Sequence, residues 1–115
     1  MINKCNYAKK CGGCDYQGVE YKNQLELKQE NVKKLLKDFI KVSPIVGMED
    51  PYFYRHKVHA VFGCQGRGQV VAGVYKKNSH DIVDVESCQI EDQEADAIIR
   101  EIKGLLKSFK IKAYD

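Results

Sequence analysis

Three thiols fall within one ten-residue stretch, Cys5-Asn6-Tyr7-Ala8-Lys9-Lys10-Cys11-Gly12-Gly13-Cys14, a fourth stands far downstream at Cys88, and a fifth, Cys64, lies between them. The first four read C-x5-C-x2-C-x73-C. Two cysteines two residues apart can reach one centre, and the glycine pair between Cys11 and Cys14 removes side chains where the backbone must curl closely. Cys5 can fold back onto the same point. Sulfur at this density selects soft partners, an iron–sulfur cluster or zinc, because oxygen-preferring ions gain little from thiolate. A zinc ribbon takes its ligands as two close pairs, so the three-plus-one grouping favours a [4Fe-4S] cluster, with zinc and bare thiols left open. Any such centre ties the leader to a distant part of the chain, so binding doubles as folding energy and a metal-free chain should have a loose amino terminus.

Five cysteines in 115 residues is an odd count, which argues against a disulfide framework. There is no apolar run long enough to span a bilayer and no signal-peptide region, so a cytoplasmic protein with no membrane partner is expected. The net charge is +3, and its excess sits beside the cysteines: residues 1–46 hold nine Lys against five acids. That local field suits a polyanion such as RNA, and it is also ordinary solubility chemistry.

The expected organisation is a cysteine-rich arm over residues 1–20 and one central α+β domain over 21–115, a small antiparallel sheet of about three strands packed with two amphipathic helices. Leu25, Val32, Leu35, Leu36 and Phe39 recur at helical spacing over 21–40, and Ser43-Pro44 stops that helix. Residues 52–63 alternate as a strand would, placing Tyr54, His56, Val58, Ala60 and Phe62 on one face and Arg55, Lys57, His59 and Val61 on the other. The glycine-rich run 63–68, which includes Cys64, predicts a hairpin turn, with 69–75 as the returning strand and 82–85 as a third. A second helix is predicted over 91–109, with Ala95, Ile98, Ile99, Ile102, Leu105, Leu106 and Phe109 as its buried stripe. Its acids stand at the start and its lysines near the end, as the helix dipole favours.

Taken in order, Cys5 with Cys11-Gly12-Gly13-Cys14, Tyr21, Gln24-Leu25, Leu27-Lys28-Gln29, Tyr54-Arg55-His56-Lys57, Gly73 with Tyr75, Ser79-His80-Asp81-Ile82-Val83-Asp84 and Cys88 resemble the iron–sulfur RNA 5-methyluridine methyltransferases. The resemblance runs over nearly the whole chain, and several ordered motifs are far more specific than one C-x2-C. It implies that Cys5, Cys11, Cys14 and Cys88 hold a [4Fe-4S] cluster, with Cys64 outside the set. Members of that family methylate carbon 5 of a uridine: a cysteine thiolate adds to carbon 6, S-adenosylmethionine supplies the methyl group, and a carboxylate removes the proton from carbon 5. That apparatus lies in a carboxyl-terminal Rossmann-like domain. The 115 residues contain neither its glycine-rich turn nor its cysteine after Asp-Pro-Pro, and a barrel-like RNA-binding domain found ahead of the cysteines in relatives is also missing. The chain is therefore expected to be the cluster and central-domain fragment of a larger uracil-5-methyltransferase, with no catalytic residue of its own and no methylation on its own. S-adenosylmethionine would bind only in the missing domain, which becomes an expected partner.

The contribution left to this fragment is positioning a structured rRNA or tRNA. Arg55, Lys57 and His59, with Arg67, Lys76, Lys77 and His80 in adjoining loops, form a candidate phosphate track, and Tyr54 or Tyr75 could stack on an unpaired base. The same tyrosines also serve as half-buried sheet aromatics, and His80 beside Asp81 lacks the third group an acid-base site needs. Two other classes compete: a stand-alone iron–sulfur electron carrier, whose ligands usually sit in one short run, and a zinc-binding RNA-binding module. Handling in air should strip an exposed cluster and leave free thiols or an adventitious disulfide.

Overall fold

Val70, Val71 and Ala72 are buried, and they lie side by side on the middle strand of the sheet. The computed structural model describes residues 4–114, so the first three residues of the expected arm and Asp115 lie outside the described residues. The element order is α1 (Tyr21–Leu36), β1 (Val61–Gln65), β2 (Gln69–Tyr75), β3 (Ile82–Asp84) and α2 (Gln93–Ser108). The three strands form one antiparallel sheet in the order β1-β2-β3, with Cys64 opposite Val70 and Gly73 opposite both Val61 and Asp84. The α+β class with two helices and a three-stranded antiparallel sheet is as the sequence predicts.

Gly73 shows why the middle strand has the residue it has. A Cβ there would run into the Val83 carbonyl oxygen and stand 2.9 Å from the Val85 nitrogen, backbone atoms that cannot swing aside. Only glycine lets β2 and β3 close, and this closure lets the Val85 N–H donate to the Ala72 carbonyl at 2.9 Å. The strand thus delivers the chain toward Cys88.

Three boundaries differ from the expectation. Residues 52–60 are not a strand: β1 begins at Val61, and the preceding segment meets the chain at a single parallel bridge, Arg55 with Glu91. The Phe53 and Arg55 N–H groups donate to the carbonyls of Gln89 and Ile90, and Phe53 has a positive φ of 51°, which breaks the extended pattern. A basic strand face of Arg55, Lys57 and His59 therefore does not exist. Cys64 lies in β1 rather than in the turn, which is confined to the three residues between β1 and β2, where Gly66 and Gly68 both take positive φ. Helix α1 ends at Leu36, before the Ser43-Pro44 stop, in a turn closed by the Phe39 and Ile40 N–H groups on the Leu36 carbonyl.

The helix stripes are also less covered than expected. No residue of α1 is buried, and Leu35 and Phe39 are 76% and 83% exposed. On α2, Ile98 and Phe109 are 60% and 71% exposed, while Asp96 is the buried residue of the helix. Polar anchors set the rotation of α2. Lys103 Nζ donates to both Asp84 oxygens at 2.7 and 2.8 Å, and the Arg100 guanidinium donates to the Glu86 carbonyl at 2.7 Å. Asp92 caps the helix by accepting from the Glu94 and Ala95 N–H groups. Three short strands are too narrow to cover both this polar seam and the apolar strip beside it. No helix among the described residues is long and apolar enough to cross a membrane.

Candidate metal centre

The arm reaches the sheet through main-chain contacts. The Ala8, Lys10 and Cys11 N–H groups close a tight turn on the carbonyls of Cys5 and Tyr7, which folds Cys5 back toward Cys11. Cys11 then bridges antiparallel to Lys76, the Lys77 N–H donates to the Lys10 carbonyl, and the Glu86 N–H donates to the Tyr7 hydroxyl at 3.1 Å. Gly12 eases this approach, since a Cβ there would sit 3.2 Å from the Lys77 Cα. A Cβ on Gly13 would press on the Cys11 sulfur at 3.3 Å.

From the other side, the turn after β3 brings up Cys88. Its N–H donates to the buried Asp96 carboxylate at 2.8 Å, so α2 fixes the position of the fourth thiol. Cys5, Cys11, Cys14 and Cys88 all line one cavity of about 220 Å³, and Cys64 is not among its walls. All five thiols are free.

The electrostatics report the same convergence. Burial first, and then repulsion from Cys88, Cys11 and Cys5 in turn, push the Cys14 thiol up, with Arg55 pulling it the other way. Burial also raises the Cys88 thiol; the Ile90 and Glu91 N–H groups beside its sulfur oppose that, and the charges of Glu91 and Asp96 add to it. The Tyr7 and Gly13 N–H groups point at the sulfurs of Cys5 and Cys11, at 3.4 and 3.3 Å.

Among the described residues no group of three or more Cys, His, Asp or Glu side chains is gathered to hold a single metal ion. One tetrahedral zinc at about 2.3 Å from each sulfur would draw the sulfurs to about 3.8 Å from one another. The four thiols line a shared cavity, a soft donor set that suits an iron–sulfur group or zinc.

The candidate RNA contacts fall into separate regions. Arg55 and His59 line the cysteine cavity. Lys76 and Lys77 are exposed beyond the end of β2, next to the arm, and Arg67 is exposed at the hairpin tip before β2 begins. Nine residues of extended chain separate Arg67 from Lys76, about 30 Å. Lys57 is exposed in the irregular segment, and His56 Nδ1 lies 3.5 Å from Asp92 Oδ2. The Tyr75 ring packs edge-on against His80 with centroids 5.4 Å apart. Sequence reasoning missed Asp96 and Glu91 as walls of the cavity. Their only sequence signal is their place at the start of a helix that follows Cys88.

No family model matches the chain. Among curated proteins it is similar to an uncharacterized RNA methyltransferase of Staphylococcus aureus strain COL, with 38% identity over 115 residues, covering 96% of this chain and 25% of that protein. Uncharacterized RNA methyltransferases of Clostridium acetobutylicum and Clostridium tetani are each 40% identical to it, again over 96% of this chain and 25% of theirs. The chain is thus similar to proteins named as RNA methyltransferases and spans about a quarter of the length of the curated relatives it matches.

Proposed function

We propose that this chain is the iron–sulfur and RNA-positioning portion of an S-adenosylmethionine-dependent RNA uracil-5-methyltransferase, with a cluster arm over residues 1–20 and a central domain over 21–115. The observation that carries the reading is the enclosure of one cavity by Cys5, Cys11, Cys14 and Cys88, with Cys64 excluded. Those four thiols would hold a [4Fe-4S] cluster, which when bound supplies a cross-link between arm and sheet and a centre able to take up an electron. The chain's own residues prepare the place. Asp96 holds the Cys88 main chain, and the Tyr7 and Gly13 N–H groups point at the sulfurs of Cys5 and Cys11.

RNA binding and the methyl transfer belong to the whole protein in this reading. Lys76, Lys77 and Lys57 are exposed and available to phosphate, and Arg67 offers a separate contact at the hairpin tip. The uncovered strips of α1 and α2 support a partner domain of the same parent chain, because contiguous exposed apolar surface usually marks an interface.

Anaerobic reconstitution with iron and sulfide tests the assignment. The wild-type chain and Cys64→Ser should gain the broad visible absorbance of an iron–sulfur cluster with four irons per chain, and Cys88→Ser should not. A chain that binds only zinc, or a Cys88→Ser variant that loads as well as wild type, would refute it. A mobility-shift titration with structured RNA then separates an RNA-binding portion from an electron carrier.

A further inference from the structure

Arg55 was expected on an RNA-facing strand, and the structure turns it to a different task. The segment that carries it is pinned to the chain after Cys88: its N–H donates to the Ile90 carbonyl at 2.9 Å, and its carbonyl accepts from the Asp92 N–H at 3.1 Å. These bonds hold Arg55 opposite Glu91 and at the wall of the cysteine cavity. The same wall carries four thiols, the carboxylates of Glu91 and Asp96, and the imidazole of His59. Among the described residues, Arg55 is the one permanent cation in that wall.

Resting on the cluster reading above, we propose that Arg55 is the counter-cation of the cavity, a positioning residue whose guanidinium balances the negative charge of the thiolates, Glu91 and Asp96 and so sets how readily the bound centre accepts an electron. A guanidinium keeps its charge even in a partly dry site, which a lysine or histidine would not be assured of doing. Net charge and hydrogen bonds around the sulfurs are among the levers that set cluster potential.

The test compares the anaerobically reconstituted wild-type chain with Arg55→Gln, Arg55→Lys and Glu91→Gln. Each is titrated with dithionite, one ion of which is oxidised to two sulfites and reduces two centres by one electron each, and the midpoint is read from bleaching of the visible absorbance. Arg55→Gln should disfavour reduction about tenfold, which is about 59 mV for one electron. Arg55→Lys should recover most of that shift, and Glu91→Gln should move the midpoint in the opposite direction. If Arg55→Gln does not fold or load, Arg55→Lys decides the matter: a loaded chain with a midpoint close to that of wild type supports the proposal, and one shifted by about tenfold overturns it. A loaded Arg55→Gln chain with an unchanged midpoint overturns this inference alone, as does an equal shift in the Gln and Lys variants, which would make the effect one of shape. A wild-type chain that takes up no iron and sulfide overturns the cluster reading and this inference with it.

Discussion

Replacing Lys103 with methionine removes the ammonium that clamps α2 to β3 while keeping an apolar stem of similar length. Lys103 Nζ stands 2.8 and 2.7 Å from the two Asp84 oxygens, with side chains 22% and 31% exposed, and Asp84 Oδ1 also accepts the Ala72 N–H at 2.9 Å. The Glu86 carboxylate, 4.0 Å away and largely exposed, adds little. An exposed ion pair contributes about 0–1 kcal/mol, and breaking a buried one by removing one partner costs about 3–5 kcal/mol. Partial exposure puts this clamp between those limits. Two charge-assisted hydrogen bonds with one backbone bond left behind give a loss of about 2 kcal/mol. At an m-value of about 1.5 kcal/mol/M, the urea midpoint should fall by about 1.3 M, followed by far-UV circular dichroism. The double-mutant cycle with Asp84→Asn, which keeps an acceptor for Ala72, should give a coupling above about 1 kcal/mol. A coupling under about 0.5 kcal/mol would place the pair with ordinary surface contacts and refute the clamp.

Gly73→Ala should cost at least about 3 kcal/mol, because the new methyl meets backbone on β3 that no rotamer change can move; a melting temperature within 2 °C of wild type, roughly 1 kcal/mol or less for a domain of this size, would contradict it. The double variant Leu35→Lys/Phe39→Lys should leave stability of the isolated chain within about 0.5 kcal/mol, since both side chains are open to solvent, and a clear loss in a urea titration would show that the strip is covered after all. Burial first, and then the neighbouring Asp96 by charge and hydrogen bond, raise the Glu91 carboxyl, with Arg55 opposing. A raised folded-state value means that stability linked to Glu91 is present below the unfolded value of about 4.3 and is lost as pH rises through the folded one. Glu91→Gln should therefore raise the melting temperature of the metal-free chain at pH 8, roughly four units above the unfolded value, and lose that advantage as pH falls toward about 4.3; a gain that is independent of pH would point to packing instead.

The elements most legible in the sequence were those whose signal is local. Asp92 and the acids after it announce the start of α2, and Val70, Val71 and Ala72 mark the buried strand. The convergence of the four cysteines was legible only as spacing plus resemblance, since nothing local says where a residue 74 positions downstream will return. The reading failed where alternation was taken for pairing. Tyr54 to Phe62 alternates well enough, but a strand needs a neighbour, and the neighbour available to Arg55 is the short segment after Cys88, which offers one bridge. The stripe on α2 failed differently. Periodicity finds the apolar face of a helix, but Asp96, Arg100 and Lys103 chose the seam through bonds to Cys88, Glu86 and Asp84, and no hydrophobic pattern contains them.

That polar seam leaves little of α2 for apolar packing. Among the described residues the buried apolar ones are Val70, Val71, Ala72 and Val83, a small core for a chain of this length. The space where more core would be expected is the cavity walled by cysteines, between the arm, the end of β2 and the start of α2. Tying Cys14 to Cys88 across 73 intervening residues removes about 4 kcal/mol of loop entropy from the unfolded chain, a large share of the 5–15 kcal/mol typical of a whole domain. In the proposed reading the inorganic centre therefore substitutes for hydrophobic packing as well as offering electron chemistry. The two roles separate experimentally, because a change at Arg55 should shift potential with little effect on the cross-link, whereas a change at Asp96 or Cys88 should loosen the cross-link itself.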